Sequence, residues 1–168
     1  MDKPIEFIAH VRETDRQARQ SLESHLRGVG LLSEQFADKL GLPKHGKAIG
    51  LLHDLGKYSI DFQHYILSAT ELLNQDEDEE YVDAKGLKGK IDHSTSGAQL
   101  VWSALSAQGQ KGHFAGQVLA LCIASHHSGL IDCLSLSDKT AALDNFSKRM
   151  NKADSATHLA ESIGNACP

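Results

Sequence analysis

Apolar residues along most of this chain fall at helical spacing. His25, Val29, Leu32 and Phe36 recur at i, i+4, i+7 and i+11, and Gly41 with Pro43 closes the segment, which predicts a helix from Ser21 with His25 on its buried stripe. Pro43, a favoured first-turn residue, opens a second helix through Ala48, Leu51, Leu52 and Leu55. Gly56 is placed to take a left-handed C-cap there, so His53 and Asp54 fall in the last turn. A third helix is expected from Ile60 to Leu73, with Phe62, Ile66 and Leu67 apolar. Asp92 and Ser94 can cap a fourth, which His93 opens and Gly97, Leu100, Val101, Ala104 and Leu105 continue on one face. After a glycine-rich break over Gly109–Gly112, Phe114, Val118, Leu119, Cys122 and Ile123 predict a buried helix ending at His126 and His127. Asp138–Arg149 and Asp154–Ile163 read as two more. Only Pro4–Arg12 is strand-like or irregular. The expected architecture is an all-α bundle with histidines converging on one end of its core.

Between these segments, Asp76–Glu80 is an unbroken acidic run that reads as a solvated loop, followed by the flexible, basic Lys85–Lys90. The 168 residues, 40% of them hydrophobic, make one domain able to bury a core without staples. A net charge of -5 gives no general attraction to nucleic acid, so any DNA contact must be local or assisted. Cys122, Cys133 and Cys167 lack C-x-x-C spacing, which argues against a disulfide framework or a thiolate zinc site and fits a reducing cytoplasm. No signal-like or membrane-spanning apolar run is present, so a soluble, cytoplasmic protein without membrane attachment is expected.

The chemistry concentrates in four places. His53-Asp54 sets an imidazole beside a carboxylate at a helix end, and His25, His93 and the doublet His126-His127 add further imidazoles. A single histidine on an apolar face is usually a satisfied core residue, the reading given to His45, His64, His113 and His158. Five imidazoles and one carboxylate at helix ends are instead a ligand set for one or two divalent ions, with Mn, Fe, Co, Ni or Zn suited better than oxygen-seeking Mg. Lys57 either reaches a phosphate and offsets charge building on it or simply favours a helix C-terminus. Ser94 and Ser128 are either caps or groups that orient a ligand.

In order and approximate spacing, FIAHVRETDRQARQSLESHLRGV, GLLHDLGKYSIDFQHYIL, KIDHSTSGAQLV and SHHSGL resemble the motifs of the HD-domain metallophosphohydrolases, and within them the HD nuclease domain of the CRISPR-associated nuclease-helicase. The resemblance covers Phe7 to Leu130. It implies an HD-domain helical bundle and a metal-dependent endonuclease that cuts single-stranded DNA in type I CRISPR interference, an antiviral defence. It further implies that Asp54 bridges two ions about 3.5–4 Å apart, with His25 and His53 on one and His93, His126 and His127 on the other. Catalytic roles fall to Asp54 and Lys57. The implied partners are the surveillance complex called Cascade and a helicase portion in cis or in trans.

Two departures accompany the resemblance. The family pattern has a late Asp ligand, for which this chain offers Asp132, Asp138, Asp144 or Asp154; Asp154 in KADSATHL is similar to a closing motif, the other option being a residue outside this chain. No GxxxxGK(S/T) loop is present, so ATP-driven translocation is not expected of these residues, which fit a piece of a nuclease-helicase or a stand-alone subunit. Two other readings stand beside the nuclease: an HD phosphohydrolase of nucleotides or cyclic nucleotides, and a non-catalytic module stabilised by metal.

Overall fold

The computed structural model describes residues 6–12, 14, 18–75, 77–87, 90–133 and 144–167. Its first element is a hairpin in which β1 (Ile8–Val11) pairs antiparallel with β2 (Arg19–Ser21), matching Ile8 to Ser21 and His10 to Gln20 across an irregularity. The strand-like reading of the amino-terminal segment thus holds over Ile8–Val11, while Pro4 and Ile5 lie outside the described residues. β2 was not foreseen because Arg-Gln-Ser is a short polar run with no apolar alternation. Gln63 fastens β1 to the body: Ile8 N–H donates to its Oε1 at 2.9 Å, and its Nε2 donates to the carbonyls of Ile8 and Lys57 at 3.1 and 2.7 Å.

Helix α1 (Leu22–Asp38) starts at Ser21, whose hydroxyl accepts from Ser24 N–H, and packs along α2 (Pro43–Leu52). A Cβ on Gly46 would lie 2.2 Å from Ser33 O and one on Gly50 2.6 Å from Val29 O, so these backbones meet only because both residues are glycine. That approach corrects the expected stripe. α1 buries Leu22, Leu26 and Gly30, whereas Leu32 and Phe36 are 54% and 65% exposed, because α2 draws in the small residues of α1 and turns its larger apolar side outward.

α2 also ends earlier than expected. His53 is its C-cap, Asp54 follows, and Leu55–Tyr58 form a 3-10 turn before α3 (Ile60–Ala69). Gly56 takes no left-handed conformation. It is needed for close approach instead, since a Cβ there would lie 2.6 Å from His93 Cα. α3 stops short of Leu73. Of the acidic run, Glu77, Glu79 and Glu80 are exposed and Asp76 lies outside the described residues; the one-turn α4 (Ala84–Leu87) follows, with Lys88 and Gly89 also outside them.

The second half is built on α5 (Thr95–Ser106) and α6 (Gly109–Ala124), joined by Ala107 and Gln108, so Gly109–Gly112 belongs to the first turn of α6 rather than to a break. Gly97 does permit close approach, a Cβ there meeting Leu52 O at 1.9 Å. α6 buries Gly116, Leu119, Ala120, Ile123 and Ala124 but exposes Phe114, Val118 and Cys122, correcting the expected apolar face by about one position. Of the Asp138–Arg149 helix, only α7 (Asn145–Met150) lies in the described residues, and Asp154–Ile163 is broken at His158 (φ 53°) into α8 (Asp154–Thr157) and α9 (Leu159–Ala166). Over the described residues the fold is an all-α bundle carrying one small hairpin. No described helix is long and apolar enough to cross a membrane.

Two apolar clusters support it. One gathers Ala9, Leu22, Leu26, Leu55 and Tyr58; the other gathers Ala98, Val101, Leu119, Ala120, Ile123, Ala124 and Phe146. Leu52 packs against both, which places the next residues, His53 and Asp54, at their junction.

Candidate metal centre

Each histidine reaches the junction from an element end. His53 is the C-cap of α2, His25 sits in the first turn of α1, and His126 and His127 follow the end of α6. His93 lies two residues before α5 rather than opening it, because Asp92 is the effective cap: its Oδ1 accepts from Thr95 N–H at 3.0 Å and its Oδ2 from Thr95 Oγ1 at 2.7 Å. Lys152 pairs with the same Oδ2. Arg149 then ties the two loops together, donating to Ser94 Oγ at 3.0 Å and Ala124 O at 2.8 Å. Gln99 holds that stretch of chain by donating to the carbonyls of Arg149, Met150 and Lys152. On the other side of His93, Gly56 N–H donates to His93 O at 3.3 Å, and the Phe62 ring lies 4.9 Å from the imidazole.

Asp54 is 2% exposed and divides the imidazoles between its two oxygens. Oδ2 faces His25 Nε2 at 3.3 Å and His53 Nε2 at 3.2 Å, and those two nitrogens are 3.2 Å apart. Oδ1 faces His126 Nε2 at 3.3 Å and His93 Nε2 at 3.8 Å, while His93 and His127 bring their Nε2 atoms to 2.8 Å. Lys57 Nζ sits 2.9 Å from Oδ2 and 3.3 Å from Ala9 O, against the face of Phe62.

The donor atoms fit metal. His53 Nδ1–H donates to Gly50 O at 2.8 Å and His126 Nδ1–H to Ile123 O at 2.7 Å; a carbonyl can only accept, so in the neutral rings both Nε2 atoms carry lone pairs. Those lone pairs face carboxylate oxygens or one another, contacts that require a proton or a cation between them. Ligands on an ion with bonds of about 2.1 Å lie roughly 3.0–3.4 Å apart, the spacing seen around Oδ2. Nitrogen-rich sets of this kind suit Mn, Fe, Co, Ni or Zn more than Mg.

Burial alone would raise the Asp54 pKa, but the imidazoles of His126 and His53 and the Lys57 charge outweigh it and hold the carboxyl well below its ordinary range. Burial lowers His93 to about 4 and also lowers His25 and His127, favouring the neutral rings that bind metal. His53 moves the other way. Burial opposes its charged form, yet the hydrogen bond to Asp54 and that residue's charge raise it.

All seven residues singled out in the sequence, His25, His53, Asp54, Lys57, His93, His126 and His127, meet here. Lys57 is turned inward, 5% exposed, with its ammonium on Asp54. Ser94 accepts from Arg149 and makes no cap bond, and the exposed Ser128 turns its hydroxyl to Gly129 O at 3.4 Å. Asp154 accepts from Ala160 N–H, Asp144 caps α7, Asp132 accepts from Asn145 N–H, and Asp138 lies outside the described residues. One further imidazole, not singled out in the sequence, lies beside these residues. His10, on β1, places a ligand atom within 4.8 Å of those of His25 and Asp54. A lone imidazole on a four-residue strand carries no spacing cue, and only the hairpin's seat against α1 reveals it.

Residues 3–166 match the family model described as Cas3, HD domain. The chain belongs to this family. Cas3 HD domains are CRISPR-associated, metal-dependent hydrolases of the HD phosphohydrolase and nuclease class, which act on nucleic acid and bind divalent metals. No curated protein matches the chain.

Proposed function

We propose that this Cas3-type HD domain is a metal-dependent endonuclease that hydrolyses phosphodiester bonds of single-stranded DNA during type I CRISPR interference. The observation that carries the proposal is Asp54, buried at the junction with a separate set of imidazoles on each carboxylate oxygen. In this reading His25, His53 and Oδ2 would hold one ion, and His93, His126, His127 and Oδ1 would hold a second. Divalent ions, when bound, would supply Lewis acidity toward water and the phosphodiester.

The chain's own contribution is to orient and to balance charge. The Nδ1–H bonds of His53 and His126 fix ring orientation and tautomer. Lys57, buried against Asp54, keeps the carboxylate ionised and aimed, so we assign it an electrostatic role exerted through Asp54 rather than direct reach to the phosphate. With a net charge of -5, the domain needs its DNA delivered. Delivery by Cascade and a helicase portion in the cytoplasm meets that need.

The test is cleavage of circular single-stranded DNA by EDTA-stripped protein given Mn, Ni, Co or Mg separately, beside Asp54→Ala. Metal-restored nicking by the wild type and none by the variant is expected. Activity on nucleotides or cyclic nucleotides with DNA left intact would move the assignment to a small-molecule phosphohydrolase, and bound metal with no activity at all to a structural module.

A further inference from the structure

Three of the imidazoles stand on two separate loops, His93 on the stretch leading into α5 and His126 and His127 on the stretch leaving α6. The helix pair brings both loops to one end of the bundle. His93 Nε2 and His127 Nε2 nevertheless lie 2.8 Å apart, a separation finer than the packing of two helices sets by itself. We propose that Arg149 is a positioning residue for the Oδ1 side of Asp54: its guanidinium holds the two loops at the spacing at which His93, His126 and His127 would share one ion, and Lys152 supports it at the residue before His93. This role rests on the two-ion reading of Asp54 given above, and adds to it residues that act through the backbone carrying the ligands.

A single nitrogen joins the loops. Arg149 Nη1 donates to Ser94 Oγ at 3.0 Å, next to His93, and to Ala124 O at 2.8 Å, two residues before His126. The two hydrogens on that nitrogen lie in the guanidinium plane at a fixed angle, so the two acceptors are held at a fixed separation, which a rotating ammonium does not impose. Ala124 is 1% exposed and its carbonyl belongs to the last turn of α6, where a cation is favoured. Lys152 pairs with Asp92 Oδ2, so Asp92 and Ser94, the residues on either side of His93, are each gripped by a basic side chain of one short stretch. That stretch is itself fixed to α5. Phe146 of α7 is buried in the cluster of Val101, Leu119 and Ile123, and its ring meets Trp102 edge to face with centroids 5.4 Å apart. Gln99 donates to the carbonyls of Arg149, Met150 and Lys152 at 3.2, 3.2 and 2.9 Å, and its Oε1 accepts from Thr157 Oγ1 at 2.9 Å. The guanidinium therefore projects from backbone held on α5 and reaches the end of α6, which makes one side chain the gauge between the two ligand loops.

The experiment is a cobalt titration of the metal-stripped chain, read by calorimetry and visible absorption, for wild type, Arg149→Met, Arg149→Lys, Ser94→Ala and the Arg149→Met/Ser94→Ala double variant. His127→Ala marks the ion on the Oδ1 side. Val101→Ala, which opens a cavity in the same apolar cluster and leaves Arg149 and Ser94 in place, controls for lost stability, measured for every variant by urea unfolding without metal. Two ions are expected in the wild type. Arg149→Met should weaken the ion that His127→Ala weakens by about tenfold or more and shift its cobalt absorption, while the other ion stays within about twofold of wild type. Arg149→Lys should not restore that ion, because the planar fork is lost. Ser94→Ala keeps the bond to Ala124 O and should weaken the same ion less, so it carries the test should Arg149→Met fail to fold. The double variant should match Arg149→Met, since both changes break one contact. Val101→Ala should bind both ions as the wild type does. Wild-type affinity for both ions in Arg149→Met and Ser94→Ala would overturn the Arg149 role alone, as would a weakening of both ions that follows lost stability in Val101→Ala and Arg149→Met alike. A wild type that binds no cobalt would overturn the two-ion reading and this inference with it.

Discussion

The Oδ2 and Oδ1 sides of Asp54 hold similar ligands in different ways. The first is formed by β1, α1 and α2 over the cluster containing Leu22, Leu26 and Leu55; the second is formed by the ends of α5 and α6, tied by α7, over the cluster containing Val101, Leu119 and Ile123. Side chains of His25 and His53 are 14% and 13% exposed, against 21% and 19% for His93 and His126, and His127 is at the surface. Lys57 adds a buried positive charge on the Oδ2 side. One half is thus closed and charge-balanced by protein, while the other is more open.

The largest effect is expected where the halves join. Asp54→Ala removes a ligand from both, and loss of several kcal/mol of transition-state stabilisation corresponds to a fall of about a thousandfold or more in the cleavage rate on single-stranded DNA. A variant within tenfold of wild type would break the comparison altogether. Next comes the charge that distinguishes the closed half. Lys57→Met leaves Asp54 buried beside no lysine, and urea unfolding of the metal-stripped protein should show a loss of about 3 kcal/mol, partly restored by added metal. An unchanged unfolding midpoint would mean that Lys57 does not support the carboxylate.

Gly56→Ala acts on the open half. The new methyl would lie 2.6 Å from His93 Cα, so His93 must shift, at a cost of about 1–3 kcal/mol in stability. Calorimetry should show weaker binding of the His93 ion, with the His25 ion retained; equal weakening of both would show that the halves are not independent. The smallest effect is that of pH on the metal-stripped protein. Native His93 sits at about 4, below the ordinary 6.5, and His25 and His127 are lowered too, so the unfolded chain binds protons that the native state refuses. Their contribution is complete above about 6.5 and is lost as pH falls towards 4, while His53, shifted up, opposes it. The melting temperature should therefore fall across that window, and a His93→Gln variant should flatten the fall.

Much of this site was legible in the sequence because its histidines occupy helix ends, where periodicity shows both the helix and its limit. His53, His126 and His127 follow that rule, and the seven residues singled out do meet around Asp54. What periodicity could not show was which face of a helix a neighbour covers. On α1 the stripe through Leu32 and Phe36 lost to the one through Leu26 and Gly30, because Gly46 and Gly50 on another helix set the contact. Gly56 looked like a cap residue, yet its lack of a side chain serves His93, thirty-seven residues away in the chain. His10 was invisible for the same reason, since its relation to Asp54 runs through Lys57 and Gln63 and not through spacing. Local pattern reports on elements, whereas close approach depends on pairs of residues distant in sequence.

The most direct test of the account is anomalous diffraction from crystals soaked in manganese. Two peaks about 3.5–4 Å apart, one against each oxygen of Asp54, are predicted, with His25 and His53 on one and His93, His126 and His127 on the other. A single peak, or manganese bound away from Asp54, would contradict it.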